Sequence, residues 1–430
     1  MRMVKRNPFL AGVAAILGGV LLVGTASAAE IGSDKAAAIV VFPKLVANAG
    51  AGIDTAIQVS NTSPHQIAAR CFLVNANSHC ANAGATDGAG FTAPLVCTSD
   101  DDCNGGGVTG GKCVPGWMER DFSFRLTARQ PIWWLLSTGL PKLPLDGLLK
   151  VGPVDNDPSL PDELRGQPAT NAGRIPPAPE DPFIGELKCI QVNVGPVLDP
   201  TSEEPTQGTD PDNNYGGDLK GEATIIEVGG GGGLDARAYN AIGIQSWQDV
   251  NNGDDILVLG SDPAAGAEYA GCPSILILDH FFDDAADPVT AAPIRTTLTM
   301  VPCSEDFYTQ SGGYVSTVAQ MLIYNEFEQR FSTSRSVRCF DTIGLSDIAS
   351  APGPADDARS IFNVAVQGTL TGQTRIRAVD GNNPNRGDGL LALAEETHNG
   401  VRSAAVNVHF SGTRSRNDVM VLAPIEPDNP

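Results

Sequence analysis

Apolar residues in this chain come in short runs closed by Gly, Pro, Asn or Asp, and that pattern limits the fold more than any other feature. A helix needs apolar residues every three or four positions over several turns, and such spacing is nearly absent. Phe122-Ser-Phe124-Arg-Leu126 alternates with the period of two that a strand with one buried face requires. Ile57-Gln-Val59, Ile242-Gly-Ile244 and Val406-Asn-Val408-His-Phe410 do the same. Further β-rich runs lie at 39–42, 223–228, 256–259, 298–301, 362–366 and 419–422, each between turn residues. Only 317–331, with Val318, Met321 and Leu322, also fits a helical face. The chain reads as all-β.

The runs recur in a fixed order. Ile39-Val-Val-Phe-Pro43, Thr55-Ala-Ile-Gln-Val-Ser-Asn61 and Ala69-Arg-Cys71-Phe72 are followed by Asp254-Asp-Ile-Leu-Val-Leu-Gly260. Leu298-Thr-Met-Val-Pro302, Ala319-Gln-Met-Leu-Ile-Tyr-Asn325 and Val337-Arg-Cys339-Phe340 are followed by Asn417-Asp-Val-Met-Val-Leu-Ala423. The expected organisation is two copies of one β unit, 36–262 and 294–425, joined by a connector at 263–293. The match makes 319–325 a strand and gives Cys71 and Cys339 equivalent places. The leaner second copy has the size of an immunoglobulin-like sandwich, so the expected fold is two tandem, related antiparallel β-sandwich units. The first unit carries three irregular insertions: a Cys-rich one (73–117), a Pro-rich one (141–184) and an Asp/Pro/Gly-rich one (194–218). Ten prolines between Pro141 and Pro182 remove too many backbone donors for that stretch to be sheet.

Residues 1–28 have the three parts of a secretory signal peptide: Arg2, Lys5 and Arg6, an apolar middle from Phe9 to Val23, and an Ala26-Ser27-Ala28 end. The middle is shorter than the ~20 apolar residues that span a bilayer as a helix. Cleavage after Ala28 removes three cations and no anion, taking the net charge from −22 to −25. So acidic a chain repels nucleic acid and anionic lipid at long range, and neither is expected as a partner. The expected location is periplasmic, cell-surface or extracellular, with no membrane attachment after cleavage.

In such a compartment the nine cysteines become disulfide candidates: Cys71, Cys80, Cys97, Cys103, Cys113, Cys189, Cys272, Cys303 and Cys339. Five crowd into 71–113, where glycine and aspartate leave no packable apolar pattern, so cross-links there replace a core. The pairing is open from sequence, with Cys71–Cys189 a candidate staple of the frame, and an odd number leaves one thiol over. No C-x₂-C pair suggests zinc, and no C-x-x-C-H suggests covalent haem.

Motifs with chemistry are few. There are five histidines, and no G-x-S-x-G, H-E-x-x-H or phosphate-loop pattern. The five glycines 229–233 lack the lysine and following helix of a phosphate cradle. Asp279-His280-Phe-Phe-Asp283-Asp284-Ala-Ala-Asp287 follows an apolar run, so its acids fall where a strand ends; Asp279, His280 and Asp283 are the acid/base or metal-ligand candidates. Asp210, Asp212, Asn214, Asp218 and Glu222 form a candidate calcium loop whose turn glycine and closing acid each fall one place later than in an EF-hand. Asp249–Asp254 and Asp380–Asn385 depart further from that pattern. Trp117, Trp133, Trp134 and Trp247 are candidate contact platforms, and one of the adjacent pair points outward if 131–135 is a strand. Arg386-Gly387-Asp388 spells an adhesion tripeptide, and Asn61-Thr62-Ser63 a glycosylation acceptor.

Together these features describe an exported structural or binding protein, non-catalytic, that contacts protein or glycan at or beyond the cell surface and requires no cofactor. The alternative is a secreted hydrolase of polysaccharide or ester built on the 279–287 cluster. N-terminal sequencing of the exported chain is expected to begin at Ala29. A stabilising calcium site predicts a melting temperature that falls on adding a chelator, and an unchanged midpoint excludes one.

Overall fold

The computed structural model describes residues 29–81, 96–97, 99–104, 111–115, 118–139, 175–192, 217–228, 233–247, 254–308, 316–348, 360–380, 388–398 and 402–422. Residues 1–28, expected as a signal peptide, most of the Pro-rich insertion and most of the 194–218 insertion lie outside them. Among the described residues strands account for 62% and helices for 7%, in several antiparallel sheets. The strands of the first half are β1 (Ile31–Gly32), β2 (Ile39–Ala47), β3 (Ile53–Asn61), β4 (Ile67–Asn75), β5 (Ser78–Ala81), β6 (Lys112–Pro115), β7 (Met118–Leu126), β8 (Pro131–Leu135), β9 (Phe183–Val192), β10 (Leu219–Val228), β11 (Leu234–Asn240) and β12 (Ile242–Ile244). Those of the second are β13 (Ile256–Gly260), β14 (Tyr269–Ala270), β15 (Pro273–Phe281), β16 (Ile294–Pro302), β17 (Ser316–Asn325), β18 (Arg330–Arg338), β19 (Asp341–Gly344), β20 (Thr371–Asp380), β21 (Leu390–His398), β22 (Arg402–Asn407), β23 (His409–Thr413) and β24 (Asp418–Val421).

Five larger sheets result, ordered β1-β12-β2-β9-β4-β7, β11-β10-β3-β8, β14-β13-β24, β18-β17-β20-β15-β23 and β19-β16-β21-β22; β5 and β6 form a sixth, two-stranded one. This grouping is closer to five blades than to two immunoglobulin-like sandwiches. The copies also differ in connectivity. β3 and β4 lie in different sheets, whereas β17 and β18 form one hairpin. Cys71 therefore lies inside a central strand, while Cys339 lies just past β18 at φ 48°, and the expected equivalence of the two fails. The 263–293 stretch is more than a connector, since β15 occupies an interior place in the five-stranded sheet. The run 362–366, expected as strand, instead turns into a short helix, α1 (Val364–Gln367), capped by the Asn363 side chain and ended by Gly368 in the left-handed region.

Burial explains which strands alternate and which do not. All nine residues of β4 are buried and β2 is nearly so, because the six-stranded sheet is covered on both faces. One face (Val40, Phe42, Leu73, Cys189) meets β3, β8 and β10 through Ile57, Val59, Trp134 and Ile225. The other (Ile39, Val41, Phe72, Ile190) meets β13, β16 and β24 through Leu257, Leu259, Val301 and Met420. A third core lies between the five-stranded sheet and β16/β21, around Leu278, Leu298, Met300, Met321 and Ile376. The strands β11, β18 and β22 have solvent on one side, and their burial alternates residue by residue. Pro43, inside β2, is absorbed by a register shift between Phe42 and Leu45.

Four disulfides form: Cys71–Cys189, Cys80–Cys103, Cys97–Cys113 and Cys272–Cys303, with Cys339 free. Cys71 and Cys189 face each other across β4 and β9 with Cα atoms 4.0 Å apart. In the Cys-rich insertion Cys80, Cys97 and Cys103 are the buried core, as its composition requires. Their sulfurs lie close enough to suggest a metal site, but each is already spent in a disulfide.

The two-faced sheet also buries charge. Lys188 on β9 is fully enclosed, 2.9 Å from Glu186 and paired with Glu305 of the second half. Burial alone lowers an ammonium's affinity for its proton, yet the two carboxylates outweigh it and hold Lys188 charged. Burial raises the Glu186 carboxyl and, with Glu186 beside it, pushes the Glu305 carboxyl well up, while Lys188 pulls both back down. Removing only the cation strands the acids. Lys188→Met is expected to cost about 3–5 kcal/mol in urea unfolding, and replacing all three groups by apolar residues of similar volume to restore most of it. A single-variant loss below ~1 kcal/mol would sink this account.

Candidate functional site

The segment that sequence singled out is dispersed by the pleat of β15. Leu276, Leu278 and His280 point into the third core, while Asp279 points to solvent, where its carboxylate accepts a 2.9 Å hydrogen bond from Gln373 Nε2. His280 packs edge-on to Phe282, ring centroids 5.2 Å apart. Its Nδ1 lies 2.9 Å from the Phe281 carbonyl, which only accepts, so Nδ1 carries the proton and Nε2 accepts from the Thr374 hydroxyl at 2.9 Å. Burial lowers this imidazole to about 4, keeping it neutral at ordinary pH.

Asp283, beyond the strand end, is buried and occupied. Oδ1 accepts the Thr296 N–H and Oδ2 the Ser346 N–H, each at 3.0 Å. It ties the end of β15 to β16 and to the short helix Leu345–Ile348 that follows β19. Asp284 accepts from Asn363 Nδ2 at 2.7 Å and pairs with Arg295 at 2.9 Å. The three candidates thus serve three places: Asp279 the outer surface, His280 the core, Asp283 a backbone junction. Asp279 and His280 border an open depression with Glu326 and Glu396, and Asp283 does not reach it.

A cluster that sequence does not signal forms around Asp287. Its carboxylate accepts the Thr290 N–H at 2.8 Å and the Val289 N–H at 2.7 Å, then meets Arg402 at 2.6 Å and His398 Nδ1 at 2.5 Å. Those donors, the Thr290 amide foremost, hold the Asp287 carboxyl well below the usual range. His398 Nε2 is taken by Glu396 at 2.8 Å, and although burial opposes it, Glu396 and Asp287 raise the imidazole. The partners lie more than a hundred residues apart in sequence, so no local motif betrays them. Ser403, one register step away, lines the same depression as His398 and Asp287, but its hydroxyl bonds Asp235 rather than the imidazole.

The calcium candidates Asp210, Asp212 and Asn214 lie outside the described residues. Asp218 is buried and accepts from Gln191 Nε2 at 2.8 Å; Glu222 is exposed on β10. Asn61 is buried, with Nδ2 donating to the carbonyls of His65 and Thr127, so the folded acceptor offers no free amide for a glycan. Trp134 is buried against Phe124 and Trp133 half-exposed, as a strand requires, and Trp117 lies outside the described residues. Of the adhesion tripeptide only Asp388 is described, half-buried beside Ser304.

Two adjoining clefts share Ile31 and Phe410. One, about 300 Å³, has Trp247, Pro273 and Phe410 among its walls. The other, about 460 Å³, runs between residues 31–34 and 405–410 over Tyr239 and Asn240. The Trp247 indole donates to the Gly260 carbonyl at 3.1 Å, which fixes the ring in place. β1 and β23, each paired on one side only, border this groove. Apolar ring faces beside Asp34, Asn240 and Asn407 suit an amphiphilic ligand.

The neutral, buried state of His280 has a measurable consequence. Unfolded histidine takes up a proton near pH 6.5, whereas the folded one waits until about 4, so stability falls as pH drops through that window. The slope of unfolding free energy between pH 6.5 and 4 is expected to be steeper in the native chain than in His280→Gln, by on the order of 3 kcal/mol in total. Matching slopes would refute it. Compared with known proteins, the chain matches no family model, no curated protein and no solved structure.

Proposed function

We propose that the chain is an exported structural or binding protein that holds a protein or glycan in the cleft beside Trp247 and Phe410 and carries out no catalysis. The observation that carries this reading is the cleft itself: an anchored indole and a phenyl ring, bordered by two half-paired strands and flanked by amide and carboxylate side chains. Four disulfides support an oxidising destination. Among the described residues no helix is long and apolar enough to cross a membrane. The hydrolase alternative draws no support from Asp279, His280 and Asp283, whose polar atoms are spent on separate structural contacts.

The halves are read as diverged copies of one β unit. β2 resembles β16 and β3 resembles β17 in length and in apolar run, and both β3 and β17 end in an asparagine that bonds the following turn. The echoed runs 256–259 and 419–422 pair with each other. Decoration of the first copy then supplies loops around a shared frame.

Screening the purified mature chain on glycan and peptide arrays is expected to give hits that weaken by about tenfold or more in Trp247→Ala, with the melting temperature retained. Binding untouched by that change would place the site elsewhere. A hydrolytic activity abolished by His280→Ala and Asp283→Ala would overturn the non-catalytic reading.

A further inference from the structure

The five-stranded sheet has one face in the third core and the other in solvent. On the solvent face stand Arg330 and Arg338 of β18 and Arg375 and Arg377 of β20, all exposed. Register fixes their neighbours. Gln320 lies between Ser334 and Arg377, Leu322 between Ser332 and Arg375, and Tyr324 between Arg330 and Gln373. Two described acids border them on this face: Asp279 of β15, which accepts from Gln373, and Glu326 at the end of the β17–β18 hairpin, which accepts from the Thr371 amide and hydroxyl. Arg375 Nε donates to Gln373 Oε1 at 3.2 Å, and no described carboxylate pairs with any of the four guanidiniums. Four exposed cations therefore outnumber the two described acids of this face, on a chain of net charge −22.

That asymmetry has no role in packing, since none of the four side chains enters a core. A guanidinium presents a planar fork matched to carboxylate and sulfate oxygens. Fields of exposed charges fade over about 8 Å at physiological salt, so the local face, not the net charge, decides what docks there. The arginines are interleaved with serine, glutamine and tyrosine, which hydrogen-bond hydroxyl groups, and Arg375 separates the apolar Leu322 on one side from Ile277 and Ile275 of β15 on the other. A stable protein–protein interface needs a contiguous apolar centre, and this face lacks one. We infer that the outer face of the five-stranded sheet binds an anionic polysaccharide, its carboxylates or sulfates gripped by Arg375 and Arg377 at the centre and by Arg330 and Arg338 at the rim. This site is separate from the Trp247 cleft and extends the glycan reading to a charged polymer.

The test applies the mature chain to immobilised heparin, which is sulfated, to polygalacturonate, which carries only carboxylates, and to uncharged dextran. Retention on at least one polyanion and none on dextran is expected, with release as salt rises. Arg375→Glu/Arg377→Glu is expected to lower affinity about tenfold or more at an unchanged melting temperature, and Trp247→Ala to leave it intact. Comparing the two polyanions tells sulfate from carboxylate recognition. Absence of retention at low salt, or retention undiminished in the double variant, overturns the inference. So does sedimentation showing that the arginines drive self-association of a chain that holds neither polymer.

Discussion

A single buried ammonium governs how the two halves of this molecule meet. Lys188 lies on the strand whose faces serve two cores, and its partners come from both sides: Glu186 from the same strand, Glu305 from beyond β16. Its charge also lies 5.9 Å from the Phe307 ring, which stacks on Phe72 with centroids 4.4 Å apart, while Arg70 covers the far face of Phe72 at 4.9 Å. Apolar layers alone tolerate sliding, because one aliphatic contact replaces another. An ion enclosed on all sides does not, since any shift leaves it without its counter-charge. A second bridge repeats the logic at the margin, where Lys44 and Arg237 of the first half converge on Glu395 of the second.

How much of this was legible in the sequence depends on the range over which each feature is set. Strand content was legible because the pleat writes a two-residue period into β7 and β12, and turn residues close each run. The loop held by sulfur was legible from composition alone. The Cys71–Cys189 staple was foreseeable as one option, and its partners do face each other. The architecture was not legible. β2 and β4 read as continuous apolar runs, and sequence does not say which sheet buries each face. The Arg-Cys-Phe match misled because three residues fix neither a strand's partners nor its sheet. The 362–366 run looked like strand until Asn363 and Gly368 are seen as a helix cap and stop.

The candidate site was legible in chemistry but not in geometry. Alternation along β15 aims Asp279 at solvent and His280 at the core, so although both border one open depression their polar groups do not converge. The buried Asp283 shows a common fate of acids at strand ends, which satisfy backbone amides that the sheet leaves unpaired. What sequence could not reveal are groupings across long separations, such as Asp287 with His398 and Arg402, the Trp247 cleft, and the arginines gathered by register from β18 and β20. All three are products of pairing: Asp287 and Trp247 stand out in their own segments, but nothing local names the residues that gather around them.

The three-stranded sheet imposes an order of assembly. β13 lies in the middle of the chain, yet its long partner is β24, near the end, and Val421 also closes on residues 305–307 through backbone hydrogen bonds. The second core takes Met420 and Leu422 as part of its packing. A chain delivered from its N-terminus therefore gathers its first core early, but it keeps the seam between its halves open until the last strand arrives. Contacts of such sequence separation form slowly. The Val421 N–H donates to the Glu305 carbonyl, so the backbone that carries one partner of Lys188 is held by β24.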